Sequence, residues 1–247
     1  MARRVEQRSV NEVMKGRVIW LVLLLFCTMG IAACKGSKSS SVEGKLVDGN
    51  NKPLAGVKIT ATQVQPIKGY EQFEAVTGAD GSFALKGLFP SSAYVLKPWS
   101  DKWTTKVEMK VDSAPQGEIA VLPHPMQIRF EVSAEGMIVD SQTGLTWVVG
   151  PDKDTNYTQA EQLVAACTVA GGGWRMPTKS ELKGLYQQGV GERNMDPAFE
   201  TIGMWVWAEP RDSSSAWFFG FGFGGEDWLN RDYSSYGRVF LVRSRPR

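Results

Sequence analysis

"WFFGFGFGGEDWLN", Trp217 to Asn230, runs aromatic rings and glycines together and then turns acidic. Read with a period of two, Trp217, Phe219, Phe221 and Phe223 share one face, while Phe218, Gly220, Gly222 and Gly224 share the other. A ring row opposite a glycine row is the pattern of a buried strand, in which one side fills a core and the other lets a backbone or ring come close. The rings before Gly224 are therefore assigned to the core, because large exposed apolar patches are rare. The stretch after them, Gly224 to Arg238, reads as an acidic, tryptophan-bearing surface turn. It mixes Glu226, Asp227, Trp228, Asn230, Arg231, Asp232, Tyr233, Tyr236 and Arg238, residue types that populate adaptable binding surfaces. This is the predicted ligand-binding face. Asp227, Asn230 and Asp232, beside Glu226, also offer oxygen ligands of the kind Ca2+ takes, in a spacing that matches no defined calcium loop.

The segments before that stretch alternate short strands with two helices. "FEVSAEGMIVDSQTGLTWVV" predicts a strand, a glycine-containing turn and a second strand ending at Trp147. Ala160, Leu163, Val164 and Cys167 recur at helical spacing over Tyr157–Ala170, with Thr158 and Glu161 as a capping box. Thr178 and Glu181 form a second capping box ahead of Leu182, Leu185 and Tyr186. "MWVWAEP" and "RVFLVRSR" read as strands. On the last of these Arg243 and Arg245 share a face; with Arg238 and Arg247 they would contact an anionic glycan or form a solvated edge.

The words "DSQTGLTW" (Asp140–Trp147), "GGWRMPTKSEL" (Gly172–Leu182), "MDPAF" (Met195–Phe199), "WVWAEP" (Trp205–Pro210), "AWFFGF" (Ala216–Phe221) and "LVRSR" (Leu241–Arg245) stand in one order. In that order they resemble the DUF1566 family, the Lcl C-terminal domain, which is akin to formylglycine-generating and C-type-lectin-like folds. The resemblance implies an α+β domain over 129–247, with two short helices and antiparallel strands, whose irregular C-terminal loops form a binding face. Many members carry a cysteine near Ser244 that could pair with one at the position of Cys167; that staple is missing here, which leaves Cys167 as a small buried hydrophobe.

From Ser41 to about Leu122 the pattern is all β. Val57, Ile59 and Ala61 alternate with Lys58 and Thr60, and Gly49-Asn50-Asn51, Asp80-Gly81 and Pro90-Ser91 mark tight connections. Such spacing predicts a small antiparallel β-sandwich over 42–122. "GKLVD", "PLAGV", "TGADGSF" and "YVL" within it resemble the carboxypeptidase regulatory-like family, a transthyretin-like sandwich that serves as a spacer or binding accessory. Trp99 and Trp103 are either an exposed binding pair or a rim of that core. Pro123 and Pro125 flank His124 and predict an extended connector over 123–128.

The N-terminus reads as a targeting segment. Arg3, Arg4, Arg8, Lys15 and Arg17 precede an apolar run, Val18 to Ala33, and Met14-Lys15-Gly16-Arg17 alone would make a compact basic start. The run ends in Ile31-Ala32-Ala33-Cys34, which resembles the lipobox of bacterial lipoproteins. The resemblance implies a signal peptide over 1–33, lipidation of Cys34, a tether over 34–41 and, from Lys35 at its second position, the outer membrane. Without the first 33 residues the chain is about neutral, which gives no footing for a nucleic-acid partner.

Catalytic chemistry has few parts to work with. The formylglycine-generating relatives use reactive cysteines in the C-terminal core, where this chain has only Cys167. A Ser-His-Asp or Cys-His device needs a base within hydrogen-bond reach, and the sole histidine lies in the connector. Carboxylate pairs such as Glu226, Asp227 and Asp232 leave glycan hydrolysis as the one enzymatic alternative. The sequence thus points to a lipid-anchored, non-enzymatic envelope protein that needs no cofactor beyond a Ca2+ option and binds a glycan, matrix component or protein. The competing reading is a structural envelope subunit that contacts neighbouring proteins.

Overall fold

The computed structural model describes residues 39–244 and is predominantly β. The proposed signal segment, Cys34, the tether up to Lys38, Arg245 and Arg247 lie outside the described residues.

The first eight strands are β1 (Ser40–Asp48), β2 (Lys58–Gln63), β3 (Gln72–Val76), β4 (Ser82–Leu88), β5 (Ala93–Trp99), β6 (Met109–Asp112), β7 (Ile119–Val121) and β8 (Met126–Ile128). β4, β1 and β7 make one sheet, with β8 also on β1; β3, β2, β5 and β6 make the other. Val42, Leu46 and Leu85 from the first meet Ile59, Ala61 and Leu96 from the second in one core, as the alternation of polar and apolar residues requires. Two details differ from the sequence reading. Asp80-Gly81 turns the chain, yet the strands on its two sides belong to different sheets, so it is a crossover and not a hairpin. The strands are also not all antiparallel: β7 and then β8 run parallel to β1, because the chain returns to β1 from the far sheet.

The connector is correspondingly less free than its prolines imply. Its last three residues are β8, and Met126 and Ile128 are buried in the sandwich core. Gly49 N–H donates to Ser141 Oγ at 2.8 Å and Asn50 Nδ2 donates to Ser141 O, so the β1 turn grips the next module directly.

That module contains β9 (Phe130–Val132), β10 (Ile138–Asp140), β11 (Leu145–Val149), α1 (Tyr157–Ala166), α2 (Lys179–Lys183), β12 (Trp205–Pro210), β13 (Ser215–Gly220), β14 (Gly225–Asn230), β15 (Gly237–Arg238) and β16 (Phe240–Ser244). The order β16-β11-β10-β9 forms one sheet and β14-β13-β12-β15 the other. The region before Trp147 therefore holds three strands and two turns, one turn more than the sequence reading allows. The extra turn is "DSQTG": the buried Asp140 carboxylate accepts from Arg129 Nε and Nη2 at 3.0 and 2.8 Å, from Gln142 N–H and from Thr143 Oγ.

α1 starts earlier than its sequence signal. Asn156, not Thr158, is the cap, in a reciprocal box with Gln159, because this start lets Tyr157 bury its ring against Trp207 at 5.4 Å. The helix ends at Ala166, so Cys167 is its half-buried cap residue, and it still packs on the same core as Ala160, Leu163 and Val164. α2 follows expectation: Thr178 and Glu181 cap it, and Arg175 grips the Glu181 carboxylate through both terminal nitrogens at 2.8 and 2.6 Å.

The β12–β13 sheet is buried on both sides. Val206, Ala208 and Phe219 join Trp147, Leu182, Phe199 and Phe240 in one core, while Trp205, Trp207, Ala216 and Phe218 join Tyr157, Ala160 and Trp174 in another. Near-continuous apolar runs such as "WVWA" are what a doubly covered strand requires.

Candidate binding face

β13 stops at Gly220, and the chain turns through Phe221–Gly224 into β14, with Gly220 opposite Gly225. The aromatic run is thus a strand plus a turn. Trp217, Phe219 and Phe221 do pack on a core, but Phe223 is 64% exposed, which corrects its assignment to the interior. Its ring folds back over Gly220, where a Cβ would collide with it, and over Gly225, where a Cβ would press on it, and meets Phe218 edge-on at 6.4 Å. The glycine face does admit a ring, as its spacing implies, and the ring is the chain's own. Gly224, at φ +69°, makes the bend.

From Phe223 a row of rings crosses the sheet. Phe218 lies 5.0 Å from Trp205, and Tyr233 stacks on Trp205 at 6.2 Å with 25° between planes. Trp205 itself is buried; its Nε1 donates to Ser235 O at 3.1 Å, and its ring fills the space that a Cβ on Gly237 would occupy. Tyr236 stands beside the row at φ +60°, an unusual conformation for a ring-bearing residue. Two hydrogen bonds clamp it: its N–H donates to Asp154 Oδ1 at 3.1 Å and its carbonyl accepts from Met204 N–H at 3.2 Å. Tyr233, Tyr236 and Met204 are 46%, 59% and 46% exposed. The result is a set of outward rings on a rigid, buried base.

Trp228 is elsewhere. It pairs across the strands with Trp217, which packs on the opposite core from Phe218 and Trp205. On that side Lys179 Nζ stands 3.5 Å from the Trp217 ring centre, and the Arg211 guanidinium stands 4.0 Å from that of Trp228 and 5.7 Å from that of Trp217. Lys179 also approaches Glu226 at 3.6 Å. Cations of the chain already cover these rings.

The residues read as one surface turn are therefore divided by a strand. Glu226 and Trp228 fall on one side of β14 and Asp227 on the other. Asp227 Oδ1 accepts from Trp228 N–H, and Asn230 Oδ1 accepts from Asp232 N–H. Among the described residues no group of three or more His, Cys, Asp or Glu side chains is placed to hold a metal ion. Arg231 lies over the Tyr157 ring at 4.5 Å and approaches Glu161 at 3.6 Å.

Arg238 is 3% exposed, and its guanidinium faces Asp152 at 2.6 Å and Asp154 at 2.9 Å. Burial works to raise the Asp152 carboxyl, but hydrogen bonds from Arg238, Ile202 N–H and Thr201 outweigh it and hold the group below its ordinary value. Arg243 lies 4.3 Å from the Trp174 ring and donates to Ala170 O and Gly172 O. Both arginines serve the framework. In the sandwich, Trp99 is exposed under Lys58, Trp103 packs on the core, and His124 lines a groove of about 670 Å³ beside β1 and β4.

Sequence reasoning missed Phe223, Met204, Arg211 and Lys179. Phe223 had one usable signal, the "GFGG" spacing of a hairpin turn. Arg211 and Lys179, which cover the opposite side of the sheet from other elements, had none.

Residues 136–243 match the Lcl C-terminal domain family. No curated protein matches the chain. Among solved structures, the Bacillus anthracis TIE protein is 16% identical at a TM-score of 0.28, over 38% of this chain and 17% of that one. A DUF3823 family protein from Parabacteroides merdae ATCC 43184 is 14% identical at 0.29, over 45% and 56%. The dioxygenase domain of a dioxygenase carbohydrate-binding protein fusion from Streptomyces sp. SirexAA-E is 22% identical at 0.23, over 33% and 59%. The chain spans less than two thirds of each of these, and likeness at such scores carries no argument.

Proposed function

We propose, from the Lcl C-terminal domain at residues 136–243, that the chain is a lipid-anchored envelope protein without catalytic activity that binds a glycan, matrix component or protein. In this reading the first module is a carboxypeptidase regulatory-like spacer and the second a C-type-lectin-like binding domain. The observation that carries it is the exposed rings of Phe223, Tyr233 and Tyr236, of which Tyr233 stacks on the buried Trp205 and Phe223 meets Phe218 beside it. Tyrosine and phenylalanine rings have few rotatable bonds and so bind at low entropic cost, and both sugar rings and protein side chains stack on them. The catalyst-poor sequence supports the non-enzymatic part: Cys167 caps a helix, and His124 belongs to the sandwich groove.

Glycan-array and pull-down binding by the chain from Lys35 onward tests the reading, with and without Ca2+. A Phe223→Ala, Tyr233→Ala double variant that keeps its circular dichroism spectrum should lose the ligand, whereas Trp228→Ala should keep it. Unchanged binding in the double variant refutes the site. A fixed stoichiometric envelope partner in cell crosslinking, with no ligand in either screen, would favour the structural-subunit reading instead.

A further inference from the structure

The sandwich has two distinct ends. At one, the turn after β1 touches the second module through Gly49 and Asn50, and Gln127 Nε2 donates to Asp48 O. The other gathers the start of β1, the end of β2, the start of β5, the end of β6 and the start of β7, since Ser40 pairs with Leu88, Gln63 with Tyr94, Ala93 with Asp112 and Ser41 with Ile119. β1 has nine residues, so these ends stand roughly 25–30 Å apart.

The leading end holds apolar side chains outward on a fixed frame. Val64 is 52% exposed, Ile67 37% and Ile119 55%. Gln63, fully buried, accepts from Ile67 N–H at 2.8 Å through Oε1 and donates to Ser92 Oγ at 2.8 Å through Nε2. Tyr94 Oη accepts from Phe89 N–H at 3.0 Å and donates to Tyr70 O at 3.2 Å, while the Tyr70 and Phe89 rings meet edge-on at 5.2 Å. Loops 64–71 and 89–92 are thus locked together by buried polar groups, with Val64 and Ile67 of the first held in solvent.

We infer that this end of the sandwich, through Val64 and Ile67, seats in the interface of the lipid bilayer that holds Cys34. The inference rests on the lipid-anchor reading above. Residues 35–38 alone separate Cys34 from Ser39, a reach of at most about 18 Å, which confines the leading end to the bilayer surface. Aliphatic tips confined there enter the headgroup boundary, as interfacial apolar faces do. Lys68 and Lys86 at this rim are more than offset by Glu71, Asp112 and Glu118, so apolar insertion, not charge attraction, drives the contact and salt leaves it intact. The second module is then held on the far side of the strut, away from the lipid.

The test uses the full chain, processed in a bacterial envelope and reconstituted into phosphatidylethanolamine/phosphatidylglycerol vesicles. In a Cys167→Ala background, an environment-sensitive dye is placed at Val64→Cys, at Ile67→Cys or, as the far-end control, at Gln142→Cys. Dyes at 64 and 67 should be quenched by nitroxide-labelled acyl chains, in low and high salt alike, while the dye at 142 is quenched only by aqueous iodide. Iodide access at 64 and 67 equal to that at 142 overturns the docking, as does shielding from iodide without nitroxide quenching, which marks a protein contact. Mass spectrometry of the N-terminal peptide separates the two readings: no lipid on Cys34 overturns anchor and docking together, and lipid present with both dyes in water overturns the docking alone.

Discussion

The two sides of the β12–β14 sheet carry similar aromatic residues and treat them differently. On one side Trp217 and Trp228 are covered by Lys179 and Arg211 from neighbouring elements. On the other, Phe223 and Tyr233 continue a row that begins in the buried Trp205, with no cation of the chain recorded over either ring among the described residues. Exposure alone does not separate them, for Trp228 and Tyr233 are 47% and 46% exposed. What separates them is the partner: Trp228 lies under a guanidinium of the chain, whereas Tyr233 stacks on the buried Trp205 ring. The covered side is internal stabilisation; the open side is available to something else.

Substitutions can break that contrast. Gly237→Ala should have the largest effect, about 3 kcal/mol lost in chemical denaturation, because its Cβ meets the immobile Trp205 ring under the open side. The Phe223→Ala, Tyr233→Ala pair should weaken ligand binding about thirtyfold, near 2 kcal/mol, with Trp228→Ala within error of the parent. Gly220→Ala should cost about 1 kcal/mol, since the ring it displaces is Phe223, which can swing into water. Arg211→Ala should cost about 0.5 kcal/mol in stability and leave binding unchanged. At neutral pH the smallest effect of all belongs to Tyr157→Phe, whose consequence appears only in alkali. Burial, helped by the Glu161 charge and opposed by Arg231, pushes the Tyr157 hydroxyl from 10.0 to about 12. A raised folded-state pKa means this stabilisation is intact below about pH 10 and lost as pH rises through about 12. Tyr157→Phe should flatten that alkaline decline in a pH series of denaturation midpoints.

Much of the scaffold was legible because its signals are local. Thr178 and Glu181 announce α2 within four residues, and Val57, Ile59 and Ala61 announce the inward face leading into β2. The cap of α1 was ambiguous for the same reason: Asn156–Gln159 and Thr158–Glu161 are both serviceable boxes, and only the burial of Tyr157 chooses between them. The Lcl words were legible as a family, and much of what they encode is framework: "DSQTG" satisfies buried Asp140, and "RMPTKSE" closes the Arg175–Glu181 pair. The candidate site was half legible. Its segment was right for Tyr233 and Tyr236, but treating Gly225–Asn230 as a turn discarded the two-residue period that places Trp228 on the other side of β14. Phe223 escaped because a strand and a glycine turn present the same alternation on paper, and only the pairing of Gly220 with Gly225 tells them apart.

β1 pairs in parallel with β7 through Ser41–Glu43 and with β8 through Leu46–Asp48. The first strand made is therefore finished by nearly the last residues of its module, so the first module cannot close until 119–128 have arrived. Such distant pairing slows folding and leaves a strand edge open meanwhile. Were the chain exported from its N-terminus, as proposed above, β1 would wait as an unpaired edge until residues 119–128 arrive.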